Sequence, residues 1–188
     1  MPSILTTPPA FEPVSLAETK AHLRTSASGD DDMISRLIIA ARRHIEAQTG
    51  LALIQQVWSH YLDDWPAAGV VELPLHPLIA VDDVIIFGED DVAASVDPAH
   101  YYADRISHPP RLLLRGSRVW ARPGRIGNGI KIVLTAGFGP AAIDVPAELR
   151  QAVLDLVAHW FAQRGDERET SLPLTIDAVI ERFREKRL

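Results

Sequence analysis

Apolar residues recur every three to four positions in four stretches of the chain, and between the second and third stretch the spacing shortens to two. That change of period predicts helices at both ends and strands in the middle. Ser15-Leu-Ala-Glu18 has capping-box spacing, with Ser15 accepting from an orphan N–H and Glu18 reaching back, and it opens a short helix to about residue 24. Residues 26–32 form a polar loop. Its aspartates Asp30, Asp31 and Asp32 lie at the positive end of the next helix, a placement worth ~0.3–1 kcal/mol each. That second helix spans about 33–49, with Ile34, Leu37, Ile38, Ala41 and Ile45 on one face and Gly50 as its stop.

From residue 51 the pattern alternates. Val57-Trp-Ser-His-Tyr-Leu62 reads as a strand closed by Asp63-Asp-Trp-Pro66. Residues 70–73, 81–87, 101–104, 111–114 and 130–136 read as further strands between Pro, Gly and Asp clusters. Gly127-Asn128-Gly129 marks a tight turn before the last of them. No helix-length segment separates the strands, so the expected sheet is antiparallel.

Thr135-Ala-Gly-Phe-Gly139-Pro140 ends the strand region. Pro146 then fits the first turn of a helix, with Asp144 or Val145 as its cap. Leu149, Ala152, Val153, Leu156, Val157, Trp160 and Phe161 make its apolar face, and Gly165 follows Arg164 as a stop. After a charged loop at 166–170, Pro173 and Thr175 introduce a last helix carrying Ile176, Val179, Ile180 and Phe183. Its acids (Asp177, Glu181) precede its bases (Arg184, Lys186, Arg187), which suits the helix dipole.

One stripe per helix cannot stabilise a short helix pair alone. The expected fold is therefore α+β: a small four-helix bundle formed by the N- and C-terminal helix pairs, with an inserted antiparallel β-sheet or sandwich domain. The bundle takes residues 1–52 plus 140–188, with 1–14 as a Pro-rich extended arm, extended or disordered in the free subunit; the inserted β domain takes 53–139.

The composition, 47% apolar and 23% charged, is that of an ordinary globular protein. No apolar run reaches the roughly 20 residues of a membrane span, so no membrane partner is expected. The N-terminal residues lack the basic start and apolar core of a signal peptide. Without cysteine there is neither a disulfide framework nor a thiolate metal site. A net charge of −6 argues against a protein built to grip duplex DNA. The charge is segregated, however. Arg105, Arg111, Arg115, Arg118, Arg122, Arg125 and Lys131 are the only charges between Asp104 and Asp144. Acids gather at 30–32, 63–64, 82–83 and 89–91.

Candidate reactive groups do not assemble by spacing. The seven histidines show no tight ligand motif, and Asp63 and Asp64 are explained by turn chemistry. Ser59-His60 with Asp63 lacks a nucleophile-elbow setting, and the glycines at 124–129 lack the lysine and following helix of a phosphate loop. No catalytic residue, cofactor or metal is expected. Trp120, between Arg118 and Arg122, has two readings: a ring that stacks bases or anchors a partner, or a buried loop anchor.

Pro13-Val-Ser-Leu-Ala-Glu-Thr-Lys-Ala-His-Leu23, the acidic break, Ile45-Glu-Ala-Gln-Thr-Gly50, Leu62-Asp-Asp-Trp-Pro66, Leu73-Pro-Leu-His-Pro77, Thr135-Ala-Gly-Phe-Gly139, and Val145-Pro-Ala-Glu-Leu-Arg-Gln-Ala152 running into His159-Trp-Phe161 follow one another in order. In that order and spacing the chain resembles the head–tail connector (adaptor) family of tailed bacteriophages and gene transfer agents. The resemblance implies a structural, non-enzymatic ring, a dodecamer in the particle, assembled in the bacterial cytoplasm and located in the neck. It also implies partners: the portal protein, a stopper or tail-completion protein, and DNA that passes without sequence-specific binding. It makes Arg182, Phe183, Arg184, Lys186, Arg187 and Leu188 the portal-contact candidates. A closed ring needs two complementary patches per subunit. Asp30, Asp31, Asp32, Arg118, Trp120, Arg122 and Arg125 are the subunit-interface or DNA-channel candidates. The alternatives are another neck component (stopper or tail terminator) and a DNA- or partner-binding regulatory module.

Overall fold

The computed structural model describes residues 2–116, 119–163 and 173–184. The chain divides into two compact units, Met1–Pro9 with Gln55–Phe138, and Ala10–Ile54 with Gly139–Leu188. The first is made of antiparallel sheets and the second of helices, an α+β combination.

The sheet unit contains β1 (Ser3–Thr7), β2 (Gln56–Leu62), β3 (Val71–Glu72), β4 (Leu78–Phe87), β5 (Ala93–Ser95), β6 (Tyr101–Asp104), β7 (Arg111–Leu114) and β8 (Ile130–Ala136). They form a five-stranded sheet in the order β1-β2-β8-β4-β5 and a three-stranded sheet in the order β3-β7-β6. Period-2 alternation fixes the register of the larger sheet. Ile130, Ile132, Leu134 and Ala136 are completely buried on one face of β8. Opposite them on β2 stand Leu62, His60, Trp58 and Gln56, and on β4 Ile132 and Ile130 face Val84 and Ile86. A slip of one residue would turn this whole set to the other face.

Two strands differ from the sequence expectation. Residues 3–7, expected as part of a loose arm on the helical part, pair with β2 as an edge strand of the sheet. Ser3 Oγ lies 2.9 Å from His60 Nδ1, and Thr6 Oγ1 lies 2.9 Å from Ser59 Oγ. The local pattern is too short for periodicity to declare it, and long-range partners on β2 decide its conformation. β5 carries only Ala-Ala-Ser, without β-branched or aromatic residues.

The helical unit contains α1 (Leu16–Leu23), α2 (Asp31–Thr49), α3 (Ala147–Ala162) and α4 (Leu174–Phe183). α2 packs against α1, α3 and α4, and α3 also packs against α1 and α4. The predicted stripes meet there: Ile34, Ile38, Ala41 and Ile45 of α2, Leu149, Val153, Leu156 and Val157 of α3, and Ile176 and Ile180 of α4 are buried. Leu37 and Trp160 are only half-buried, and Trp160 sits edge-on to His44 at 5.9 Å.

Caps follow the sequence with informative exceptions. Ser15 Oγ accepts from the Glu18 N–H at 3.1 Å, but the Glu18 carboxylate takes Arg150 Nη2 at 2.8 Å instead of turning back on its own helix. α2 starts at Asp31, so two of the three aspartates occupy its first turn. Gly50 ends it at φ 76°. Pro146 is itself the N-cap of α3, one position before the place expected for it. Asp144 instead accepts from the Ala141 N–H at 2.9 Å and closes a preceding 3-10 turn. Gly165 and the loop at 166–170 lie outside the described residues.

Candidate assembly surfaces

The basic segment of the sheet unit is largely committed to its own unit. Arg105 donates to the Ile79 carbonyl at 2.9 Å, and Arg115 to the Tyr101 carbonyl at 2.9 Å. Arg111 Nη2 meets Asp104 at 2.6 Å. That carboxylate also accepts from the Ser107 hydroxyl and from the Ser107 and Ile106 N–H groups. The Ser107 hydroxyl first, and then Arg111, hold Asp104 well below the usual carboxylate range. Arg125 lies 4.8 Å from the centre of the Phe87 ring and 3.3 Å from Asp91. Arg122 is exposed, and Arg118 lies outside the described residues.

Trp120 is 7% exposed. Its ring stacks on Trp65 at 4.0 Å with the planes 9° apart. Trp120 Nε1 donates to the Gly69 carbonyl and Trp65 Nε1 to the Ala121 carbonyl, at 3.0 and 2.8 Å. The two loops thus clamp each other reciprocally. Within its own unit Trp120 is thus a buried loop anchor, with one ring face covered by Trp65.

At the acidic segment, Asp31 pairs with Lys20 at 2.5 Å, the Asp30 carbonyl accepts from the Ile34 N–H at 2.9 Å, and Asp32 is exposed. At the other end of the helical unit, Arg184 donates to the Gln48 carbonyl at 3.1 Å and to Gln48 Oε1 at 2.9 Å. It thereby stands at the negative end of α2, where the dipole favours a cation. Arg182 pairs with Glu148 at 2.9 Å in an exposed bridge, and Phe183 is half-buried. Lys186, Arg187 and Leu188 lie outside the described residues. Within the helical unit the acidic candidates and Arg184 thus stand at opposite ends of α2.

Sequence reading missed the most deeply buried charge among the described residues. Arg42, 3% exposed, donates to Glu12 at 2.7 and 3.3 Å and to Glu46 at 2.7 Å. Glu46 also accepts from the Leu53 N–H at 2.9 Å. The network ties the segment before α1 to α2 and to the residues leaving it. Burial would lower the Arg42 pKa, but the Glu12 and Glu46 bonds and charges outweigh it and raise it. The available signal was an Arg–Glu pair at i, i+4 beside the apolar stripe.

Among the described residues no group of three His, Asp or Glu side chains is placed to hold a metal ion. No described helix is long and apolar enough to cross a membrane.

The family model for phage gp6-like head-tail connector proteins matches residues 13–106. The chain belongs to that family, and its role is that of a structural connector in a particle neck. Among solved structures it is similar to a chain in the neck of an empty gene transfer agent (GTA) particle computed with C6 symmetry, with TM-score 0.87, 27% identity, and coverage of 100% of this chain and 97% of that one. A chain in the virion of a native GTA particle matches with the same values. A chain in the neck of a native GTA particle computed with C12 symmetry matches with TM-score 0.79 and 27% identity, over 98% of this chain and 97% of that one. Comparison with curated proteins finds no match.

Proposed function

We propose that this chain forms a closed ring, twelve copies in the particle, that joins a portal to the tail-side neck proteins and lets DNA pass. The observation that carries this reading is the likeness over 98% of the chain to a chain from a neck computed with C12 symmetry. The chemistry of the surface agrees. A net charge of −6 disfavours tight retention of passing phosphates, as a conduit requires. A ring held by twelve identical contacts tolerates a weak individual contact, because closure raises effective concentration.

In this reading the product is surface, with no catalysis and no cofactor, and assembly takes place in the bacterial cytoplasm. The helices act as one four-helix bundle, residues 10–54 with 139–188, and the strands as an inserted sandwich-like domain. Arg182, Phe183 and Arg184, with the residues beyond them, make the portal contact. Exposed Asp32 and Arg122 belong to subunit or channel surfaces.

A chain ending at Arg184 keeps the Arg184–Gln48 bonds and tests the portal assignment. The expected outcome is an unchanged melting temperature with loss of co-purification with portal. Undiminished co-purification would take residues 185–188 out of the portal contact.

A further inference from the structure

The five-stranded sheet ends on β1 at one side and β5 at the other, and among the described residues neither has an outer neighbour. Backbone direction on each follows from its inner bonds. The Tyr61 N–H donates to the Pro2 carbonyl, so Pro2 and, two residues on, Ile4 face β2. Ser3 and Leu5 therefore turn their N–H and C=O groups outward. On β5 the Gly88 N–H donates to Val92 and the Val96 N–H donates to Val84, so Val92, Ala94 and Val96 face β4. Ala93 and Ser95 then turn theirs outward. Each edge offers two outward residues with the same two-residue spacing.

The side chains leave both edges open to a further strand. At β1, Ile4 is 55% exposed, a branched apolar group with no cover. Beside β5 runs a groove of about 660 Å³, lined among others by Ile86, Phe87, Val92, Ala94 and Val96. The β5 residues are alanines and a serine, so nothing bulky blocks close approach. Neither edge carries the lysine or inward-pointing charge that usually guards an unpaired strand.

We infer that the β1 edge of one copy adds to the β5 edge of the next. This inference rests on the ring reading above and names its contact. A ring interface is heterologous, requiring two unlike patches, and these two edges lie at opposite ends of one sheet. Repeated around the ring, the contact joins the sheets into one belt. With strands along the ring axis and roughly 4.8 Å between strands, twelve five-stranded copies close at a mean diameter of roughly 90 Å.

This sequence contains no cysteine, so the introduced thiols are the only ones it carries. One preparation carries Ile4→Cys or Thr6→Cys, the other Ala93→Cys, Ala94→Cys or Ser95→Cys, all at exposed positions covering both faces of β5. The two are mixed, assembled with portal and oxidised. Opposed residues in a ladder lie within disulfide range. The expected result is a disulfide dimer containing one chain of each kind, absent from the diluted subunits. Rings visible by electron microscopy with no mixed dimer from any pairing would overturn the contact and leave the ring standing. An Ile4→Cys dimer with itself would equally overturn it. Absence of any ring would remove both readings.

Discussion

Trp65 and Trp120 are stacked face to face at 4.0 Å, and each indole N–H closes on the loop that carries the other ring. This pairing fixes the route of residues 119–122 against 65–69 and takes Trp120 out of solvent. Replacing Trp120 with alanine should cost about 3–5 kcal/mol, in the range for a buried aromatic ring. Trp65→Ala should cost less because Trp65 is half-buried. A double-mutant cycle by urea unfolding should give about 0.5–1.5 kcal/mol of coupling between the rings. Simple additivity would mean that the stack contributes nothing beyond burial.

Arg42 and Arg182 both make ion pairs, yet they should respond very differently to truncation. The Arg42 side chain is 4% exposed, and its loss takes the cation away from the carboxylates of Glu12 and Glu46, the latter 11% exposed. Arg42→Ala should cost about 3–5 kcal/mol. Arg182 and Glu148 are 69% and 50% exposed, so Arg182→Ala should change stability by about 0–1 kcal/mol. Thermal unfolding of the two variants side by side checks the ratio; equal shifts would contradict it.

His60 is 5% exposed beside Ser3, and burial holds its pKa below the ordinary 6.5. The unfolded chain therefore takes a proton before the folded one does. His60 should contribute full stability above about pH 7, progressively less as pH falls below 6.5, and no further loss once the folded pKa is passed. Melts between about pH 7.5 and 5.5, above most carboxylate titration, should show this slope in the natural chain and a smaller one in His60→Gln. Identical slopes would exclude His60 as its source.

Gly124 is required by contact rather than by backbone angle. A methyl group there would lie 2.2 Å from the Glu89 nitrogen and 2.7 Å from the Gly88 carbonyl carbon, both backbone atoms. Gly124→Ala should cost about 1–3 kcal/mol. Nothing lies within 4 Å of the same position on Gly127. Gly127→Ala should therefore stay within about 0.5 kcal/mol, and comparable unfolding midpoints for the two variants would refute the clash.

What the sequence disclosed was governed by period. The stripes of α2 and α3 and the alternation of β8 span several turns or several pairs, so Ile34, Ile38, Leu149, Leu156, Ile130 and Ile132 were recognisable as core. β1 and β5 were not, because a few residues become strands only through partners far along the chain. Asp64 makes the expected turn bond, accepting from the Trp65 N–H at 2.7 Å, whereas Asp63 accepts from the distant Asn128 N–H at 2.7 Å. The segregation of the arginines was legible, but spacing carries no information on Asp104, Ile79 or Tyr101 as their acceptors. The same holds for Trp120, whose burial depends on a second tryptophan from another loop. Assembly surfaces are the least legible layer, since they answer to geometry between copies.

The most direct test of the connector account is cryo-electron microscopy of the full chain mixed with the portal protein of its own particle. The account predicts a closed ring of this chain seated on the portal, with an axial channel and twelve-fold order. A chain that stays single in the presence of portal, or that attaches without closing, would contradict it.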